Sequence, residues 1–343
     1  MKRFFLVATL LVLLPVLAAA QEFEKNIMTG GPSGTYIQIG NDLAGLERQC
    51  GLTLNVLESA GSLENFVGVR KRPNTQFGIV QSDVLDYFKT FQAKDRELQR
   101  AVAGVRIMFP LYNEEVHILA KRDIASLADL NGRKVAIGKT ASGTFLTASL
   151  IMDIMQLDQV ERLAIGAGDA LEKLIAGEID ALFYVAGAPT KLFANPDIDG
   201  AQFHLLSVDE PLLSASYLSS TIAAGTYPFQ TEEVGVIAVK AVMMTYDYRV
   251  KENQYQRDSC KAVADLSHLL LSNLDRLKSE GHPKWKNVDL SDLPPGWRVG
   301  DCVKKGMAVE YKLQCQAPVV STLGKKSVTD DEYLNLLKQR LKK

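Results

Sequence analysis

The sequence predicts an α/β protein of two lobes, each a mixed sheet flanked by helices, with a hinge between them. Short apolar runs of strand length alternate with runs of helical spacing, this rhythm occurs in two blocks, and a non-helical stretch around Pro110 separates the blocks. Alternation of this kind places strands side by side in a sheet and helices on its faces.

The elements follow in order. Lys2 and Arg3 precede an apolar run from Phe4 to Leu17, and Ala18, Ala19 and Ala20 supply small side chains after it. This is the order of a secretory signal peptide over residues 1–20, with cleavage expected near Gln21. Pro15 interrupts the run, which falls short of the ~20 residues that a membrane-spanning helix needs. Removing Lys2 and Arg3 takes the 39 basic residues to 37 against 40 acidic ones, a net charge of −3. Neither nucleic acid nor an anionic membrane surface is expected as a partner of such a chain. The remaining 323 residues suffice for roughly two domains.

"KNIMTG", "LTLNVL" and "TQFGIVQ" read as short buried strands, followed by helical patterns at 35–50, 62–71 and 82–92. In "RIMFPLYNEEVHILAKR" two strand-like runs flank Pro110, and the second turns Val116, Ile118 and Ala120 inward against His117 and Leu119. The rhythm restarts with "RKVAIGKTASGTFLTASLIMDIM" and continues through "DALEKLIAG", "EIDALFYVAGAP" and "AQFHLLSV". A long strand-like run at 233–246 then leads into one long helix at 251–280, with Cys260, Val263, Leu266, Leu270, Leu274 and Leu277 on one stripe. If 233–246 returns from the second lobe, the chain crosses twice, and the hinge lies near 114–121 and 223–233. Thr329 and Glu332 form a capping box for a C-terminal helix.

The four cysteines are even in number in an exported chain, so pairing is expected. The short separation of Cys302 and Cys315 favours a local bridge, which leaves Cys50 with Cys260. No C-x-x-C spacing occurs and the four histidines stand singly, so no metal site is expected.

Thr29-Gly30-Gly31-Pro32-Ser33-Gly34-Thr35 joins the first strand to the first helix. In such sheets the strand's carboxyl end and the next helix N-terminus face a crevice where ligands bind. Glycines there let a ligand approach the backbone, and free helix N–H groups favour an anion. "SAGSLEN" (59–65), "VQSD" (80–83) and "TASGT" (140–144) repeat the pattern, each putting a hydroxyl or amide at a helix N-terminus. Catalytic patterns are thin. Gly132 lies one residue too far from "GKT" at 138–140 for a P-loop, and no G-x-S-x-G, H-E-x-x-H or S-x-x-K arrangement supports hydrolysis. Glu114 and Glu115 are adjacent and in a strand point to opposite faces. No enzyme and no cofactor is expected.

"TGGPSGTYIQIGNDLA", "SAGSLENF", "FGIVQSDV", "LYNEEVHILA", "ASGTFLTASLIM", "IDALFYVAGAP" and "GHPKWKNVDL", in this order, strongly resemble the TAXI family, the solute-binding proteins of tripartite ATP-independent periplasmic (TRAP) transporters. The likeness runs from about Lys25 to about Leu290. It implies a type II-like, two-lobed periplasmic binding protein, expected as a monomer, that closes on a small carboxylate such as glutamate and hands it to a membrane permease. Lobe I is expected at 21–115 plus 230–343, with a helical extension at its end, and lobe II at 116–229. Carried onto this chain, the ligand set is Gly31, Ser33, Thr35, Tyr36, Gly61, Ser62, Gln81 and Ser82 from one lobe. Ser142, Gly143, Thr144, Phe183, Gly187, Ala188 and Pro189 come from the other. Lys139 is the only cation at the four loop motifs, and it or the helix end at 142–144 is expected to take a second carboxylate, with Glu115 for an amine if the solute is an amino acid. A binding module serving a sensor and a periplasmic enzyme on the same scaffold are the alternatives.

Overall fold

The computed structural model describes residues 24–32, 34–48 and 52–314, with Asn335 and Gln339. The signal peptide, Ser33, Cys50, Cys315 and the capping box at 329–332 lie outside the described residues.

In the first block β1 (Glu24–Met28), β2 (Thr53–Leu57) and β3 (Thr75–Gln81) run parallel in the order β2-β1-β3. All seven residues of β3 are buried, as befits a strand with helices on both faces. Four helices accompany these strands: α1 (Thr35–Arg48), α2 (Ser62–Lys71), α3 (Val84–Phe91) and α4 (Arg96–Gly104). α1 lies close to the sheet because Gly40 faces Thr29 and Val56, where a Cβ would come within 2.8–2.9 Å of their side chains.

The stretch around Pro110 is one strand, β4 (Val105–Lys121), rather than two. Pro110 has no N–H to give a neighbour, and the register of the adjacent strand shifts beside it, between Lys240 and Val242. His117 and Leu119, expected opposite a buried face, are themselves fully buried, because apolar residues cover both faces of β4.

The second block contains β5 (Lys134–Ala136), α5 (Gly143–Ile154), β6 (Glu161–Leu163), α6 (Ala167–Ile175), β7 (Ala181–Ala186), β8 (Phe203–Leu205) and β9 (Leu218–Ile222). The return strand, β10 (Val234–Tyr246), is antiparallel to β3, β4 and β9. The sheet therefore reads β2-β1-β3-β10-β4-β7-β5-β6, and the two long strands β4 and β10 belong to both halves. One apolar core gathers 27–112 with 241–307 and receives Leu146 and Leu150 of α5; two smaller ones lie within 116–239. The expected fold class, two lobes with mixed sheets and flanking helices, is the one observed.

The long helix expected at 251–280 is two, α7 (Gln254–Ser272) and α8 (Leu274–Glu280). Asn273 separates them at φ −119°, its side-chain amide donating to the Leu269 carbonyl, a competition with helical bonding that short amides favour. A further helix, α9 (Asp301–Met307), packs along α7, and Gly306 rests on the Ala264 carbonyl where no Cβ would fit. This contact corrects the cysteine pairing. Cys260 on α7 is bonded to Cys302 on α9 with Cα atoms 5.2 Å apart, which excludes both Cys302–Cys315 and Cys50–Cys260. Helix packing chose the partner, and closeness in sequence did not. Among the described residues no helix is long and apolar enough to cross a membrane, and no three His, Cys, Asp or Glu side chains gather where they would hold a metal ion.

Candidate ligand-binding cleft

A cavity of about 860 Å³ opens between the two lobes. Gly30, Gly31, Gly34, Thr35 and Tyr36 bring the α1 N-terminus to it, and Ala60, Gly61 and Ser62 that of α2. From the opposite lobe Ser142, Gly143 and Thr144 bring the start of α5, and Ala167 and Gly168 that of α6. Four helix N-termini, two from each lobe, thus border one volume, which is favourable for negative charge.

Local hydrogen bonds hold these ends. The Ser142 hydroxyl caps α5 by accepting from the Phe145 amide at 3.1 Å. Ser62 Oγ accepts from the Gln81 amide at 3.0 Å, and Thr144 Oγ1 from Val185 at 3.1 Å. Gly61, at φ +126°, lies close against the opposite lobe: a Cβ there would lie 3.2 Å from the Gly143 nitrogen and 3.3 Å from the Ser142 Cα. Just beyond it the Leu63 amide donates across to the Ala141 carbonyl.

The floor of the cavity holds Glu114, the only carboxyl group among its described lining residues. It is buried, and the Tyr36 hydroxyl donates to its Oε2 at 2.8 Å. Burial pushes the Glu114 carboxyl up to about 8, against the opposing pull of Tyr36 and Gln81. The Tyr36 phenol is raised by burial and by that carboxyl. Next along β4, Glu115 accepts from the Ala188 amide at 2.6 Å and is absent from the lining.

Positive charge comes from Lys191 and Lys284. Lys284 Nζ donates to the Ala188 carbonyl at 2.7 Å and stands 5.8 Å from the Tyr112 ring centre. Its segment, a short 3-10 turn at Pro283–Asn287, is fixed by Asp42 of α1, whose Oδ2 accepts from His282 N and Trp285 Nε1. Behind the lining, His117 lies between Tyr227 Oη (2.7 Å from Nε2) and the carbonyls of Glu115 and Tyr184, and burial lowers it to about 4. It is a neutral, fully enclosed side chain.

Of the residues expected at a site, Gly31, Thr35, Tyr36, Gly61, Ser62, Gln81, Ser142, Gly143, Thr144, Gly187 and Pro189 line the cavity. Others do not. Ser82 is turned to β10, with its hydroxyl near the Lys240 amide and its carbonyl accepting from Trp297. Phe183 is a core residue, Ala188 meets the cleft's neighbours through its backbone, and Lys139 lies along Gly166 outside the lining. Glu114, Lys191, His282, Lys284, Tyr184, Thr190 and the α6 N-terminus were not expected there. "LYNEEVHILA" and "GHPKWKNVDL" contained the signal for three of them, since each puts charged residues close to an aromatic.

A model of the NMT1-like family matches residues 27–294, most of the chain. The chain belongs to the NMT1-like family. Among solved structures, a protein of Bordetella bronchiseptica RB50 is similar at TM-score 0.48 and 12% identity, covering 83% of this chain and 97% of that one. A mutant of ArgBP from T. maritima gives TM-score 0.43 and 14% identity, with 77% and 92% covered. The periplasmic sulfonate-binding protein SsuA of Methylobacillus flagellatus KT gives 0.41 and 11%, with 83% and 84% covered.

Proposed function

We propose that this NMT1-like protein is an extracytoplasmic receptor that captures a small carboxylate by lobe closure and delivers it to a TRAP-type membrane permease, as its likeness to the TAXI family implies. One observation carries the ligand class: four helix N-termini and the Lys284 ammonium converge on one cavity between the lobes. Free amide hydrogens and an ammonium with two unused donors suit a carboxylate, which each contact stabilises without needing a counter-ion. Closure follows from the same geometry, because a ligand touching α1 and α2 on one side and α5 and α6 on the other gains contacts that an open form lacks. The crossing segments of β4 and β10 are the hinge in this reading, with the second crossing inside β10 instead of at 223–233: Val236, Ile237 and Val239 pack with the cores of lobe II, as do Tyr227 and Phe229, and lobe I resumes at Ala241.

Titration calorimetry of the mature protein with L-glutamate, 2-oxoglutarate, succinate and short aliphatic acids tests the ligand class. Binding of at least one acid is expected, with a smaller radius of gyration in solution scattering at saturation. Binding of a neutral sugar and of none of the acids sinks the proposal. Recovery of a polytopic permease on the immobilised, ligand-loaded protein from detergent-solubilised membranes tests delivery.

A further inference from the structure

Glu114 is out of place in a cleft that otherwise attracts negative charge. Two lysines and four helix N-termini border the cavity, yet its floor is a carboxyl group, and a carboxylate there would repel the anion that the rest of the lining favours. A carboxylic acid would not. Resting on the carboxylate reading above, we infer that Glu114 meets the ligand in its protonated form and donates that proton in a hydrogen bond to the bound anion, so that loss of the proton expels the ligand.

The surroundings of Glu114 keep it in this form. Burial is the largest influence on it and opposes its charge, raising the carboxyl to about 8. Tyr36 of α1, Tyr112 of β4 and Tyr184 of β7 are phenols that burial holds neutral, and Gln81 of β3 is an uncharged amide. His117, further along β4, is neutral as well. Glu115 adds a like charge that pushes Glu114 the same way as burial. On β10 the register neighbour is Val239, and the Lys240 ammonium next to it is bound to Asp292. The ends of α2, α5 and α6 bring no charged side chain to the described lining, whose cations are Lys191 and Lys284. Lys284 pulls Glu114 toward ionisation, but its ammonium donates to the Ala188 carbonyl and its pull ranks behind burial.

Tyr36 and Gln81 both donate to Glu114, so the hydrogen of the acid itself is spent on neither. An O–H donor facing an anion makes a short, charge-assisted bond. Such an acid is a donor that pH can withdraw. The bound anion in turn favours the protonated form, because a neighbouring like charge raises a carboxyl's affinity for protons. The binding form is therefore nearly all present below about pH 7 and is lost as pH rises through about 8. At the alkaline end, binding takes up a proton from solution.

The test titrates succinate, 2-oxoglutarate and L-glutamate into the mature protein at about pH 6.5. The tightest binder is then carried through about pH 7, 8 and 9 in two buffers of different ionisation enthalpy, on wild type and on Glu114→Gln. The glutamine keeps an N–H donor at the same place and cannot ionise. Wild-type affinity should fall about tenfold from about pH 7 to about pH 9, with most of one proton taken up at the upper end. The variant should bind with neither that fall nor that uptake, and the ratio of the two affinities at each pH cancels the titration of the ligand and of the lysines. Infrared difference spectra of the wild type, bound minus free at about pH 9, should gain the band of a protonated carboxyl group, which decides alone if the variant does not fold. Wild-type affinity that stays level to about pH 9, a fall shared equally by the variant, or release of a proton at about pH 7 overturns the inference and leaves the carboxylate receptor standing. Failure of all three acids to bind at the starting pH removes both.

Discussion

Two buried carboxyl groups lie where the lobes meet, and they are built alike but placed differently. Glu114 takes a tyrosine hydroxyl at 2.8 Å; Asp83 takes Thr147 Oγ1 at 2.8 Å and the Tyr217 hydroxyl at 3.3 Å on its Oδ2. Burial raises the first to about 8 and the second to about 7. Glu114 opens on the large cleft beside two lysines, whereas Asp83 borders a recess of about 300 Å³ whose other charged walls are Asp86, Lys89 and Asp153. Lys89 is already paired with Asp86. The partners of Asp83 come from the opposite lobe, so its bonds join the lobes directly, while Glu114 is bonded within its own lobe and faces open space. One carboxyl is thus arranged for a ligand and the other for the protein itself.

The change that should separate the two regions most is Gly61→Val. A side chain there meets the α5 backbone at 3.2–3.3 Å, and φ +126° is a conformation β-branched residues avoid. The variant keeps the Asp83 contacts but holds the front of the cleft apart. Affinity for the preferred acid should fall by about 100-fold or more, with no compaction in solution scattering. Wild-type affinity in this variant would mean that the front contact is dispensable for closure.

Asp83→Asn sharpens the comparison from the rear. An unfolded aspartate titrates near 3.9 and Asp83 near 7, so between these pH values the folded chain holds a proton that the unfolded chain has lost. Stability from this group is therefore fully present below about pH 4 and is lost as pH rises through 7. The asparagine stays neutral and keeps an oxygen for Thr147 and Tyr217. Thermal unfolding should show the two proteins alike below about pH 4 and the variant more stable by roughly 1–3 kcal/mol above pH 7. A stability difference that is constant with pH would remove Asp83 from the account.

Much of this arrangement was legible in the sequence, and the residues show why. Glycine and hydroxyl residues after strands mark helix starts at Thr35, Ser62 and Ser142, because local geometry alone demands them there. The alternating blocks gave the two lobes, since periodicity reports which faces are buried. The features that escaped depend on contacts distant in sequence. Lys284 reaches the cleft because Asp42 anchors Trp285 from across the fold, and Cys260 meets Cys302 because Gly306 lets two helices touch. Lys139 looked apt within its motif, yet the turn at Gly138 directs it along Gly166. No local pattern distinguishes a lysine that points into a cleft from one that lies beside it.

The smallest effect is expected at Ser142, and it concerns how the two regions communicate. Ser142 caps α5 at the cleft, while Thr147 and Leu150 on the same helix face lobe I at the rear, so α5 is one rigid body touching both regions. Ser142→Ala removes the hydroxyl that accepts the Phe145 amide, a cap worth about 1 kcal/mol. If α5 moves as a unit, fraying its first turn at the front leaves the Thr147–Asp83 contact in place. The variant should then lose about 1 kcal/mol of stability equally at every pH and less than about tenfold in ligand affinity. Measured as thermal unfolding against pH, its curve should run parallel to the wild type. A curve that instead converges with that of Asp83→Asn would show that the cap at the cleft controls the bond behind it, and the two carboxyl environments would have to be treated as one coupled system.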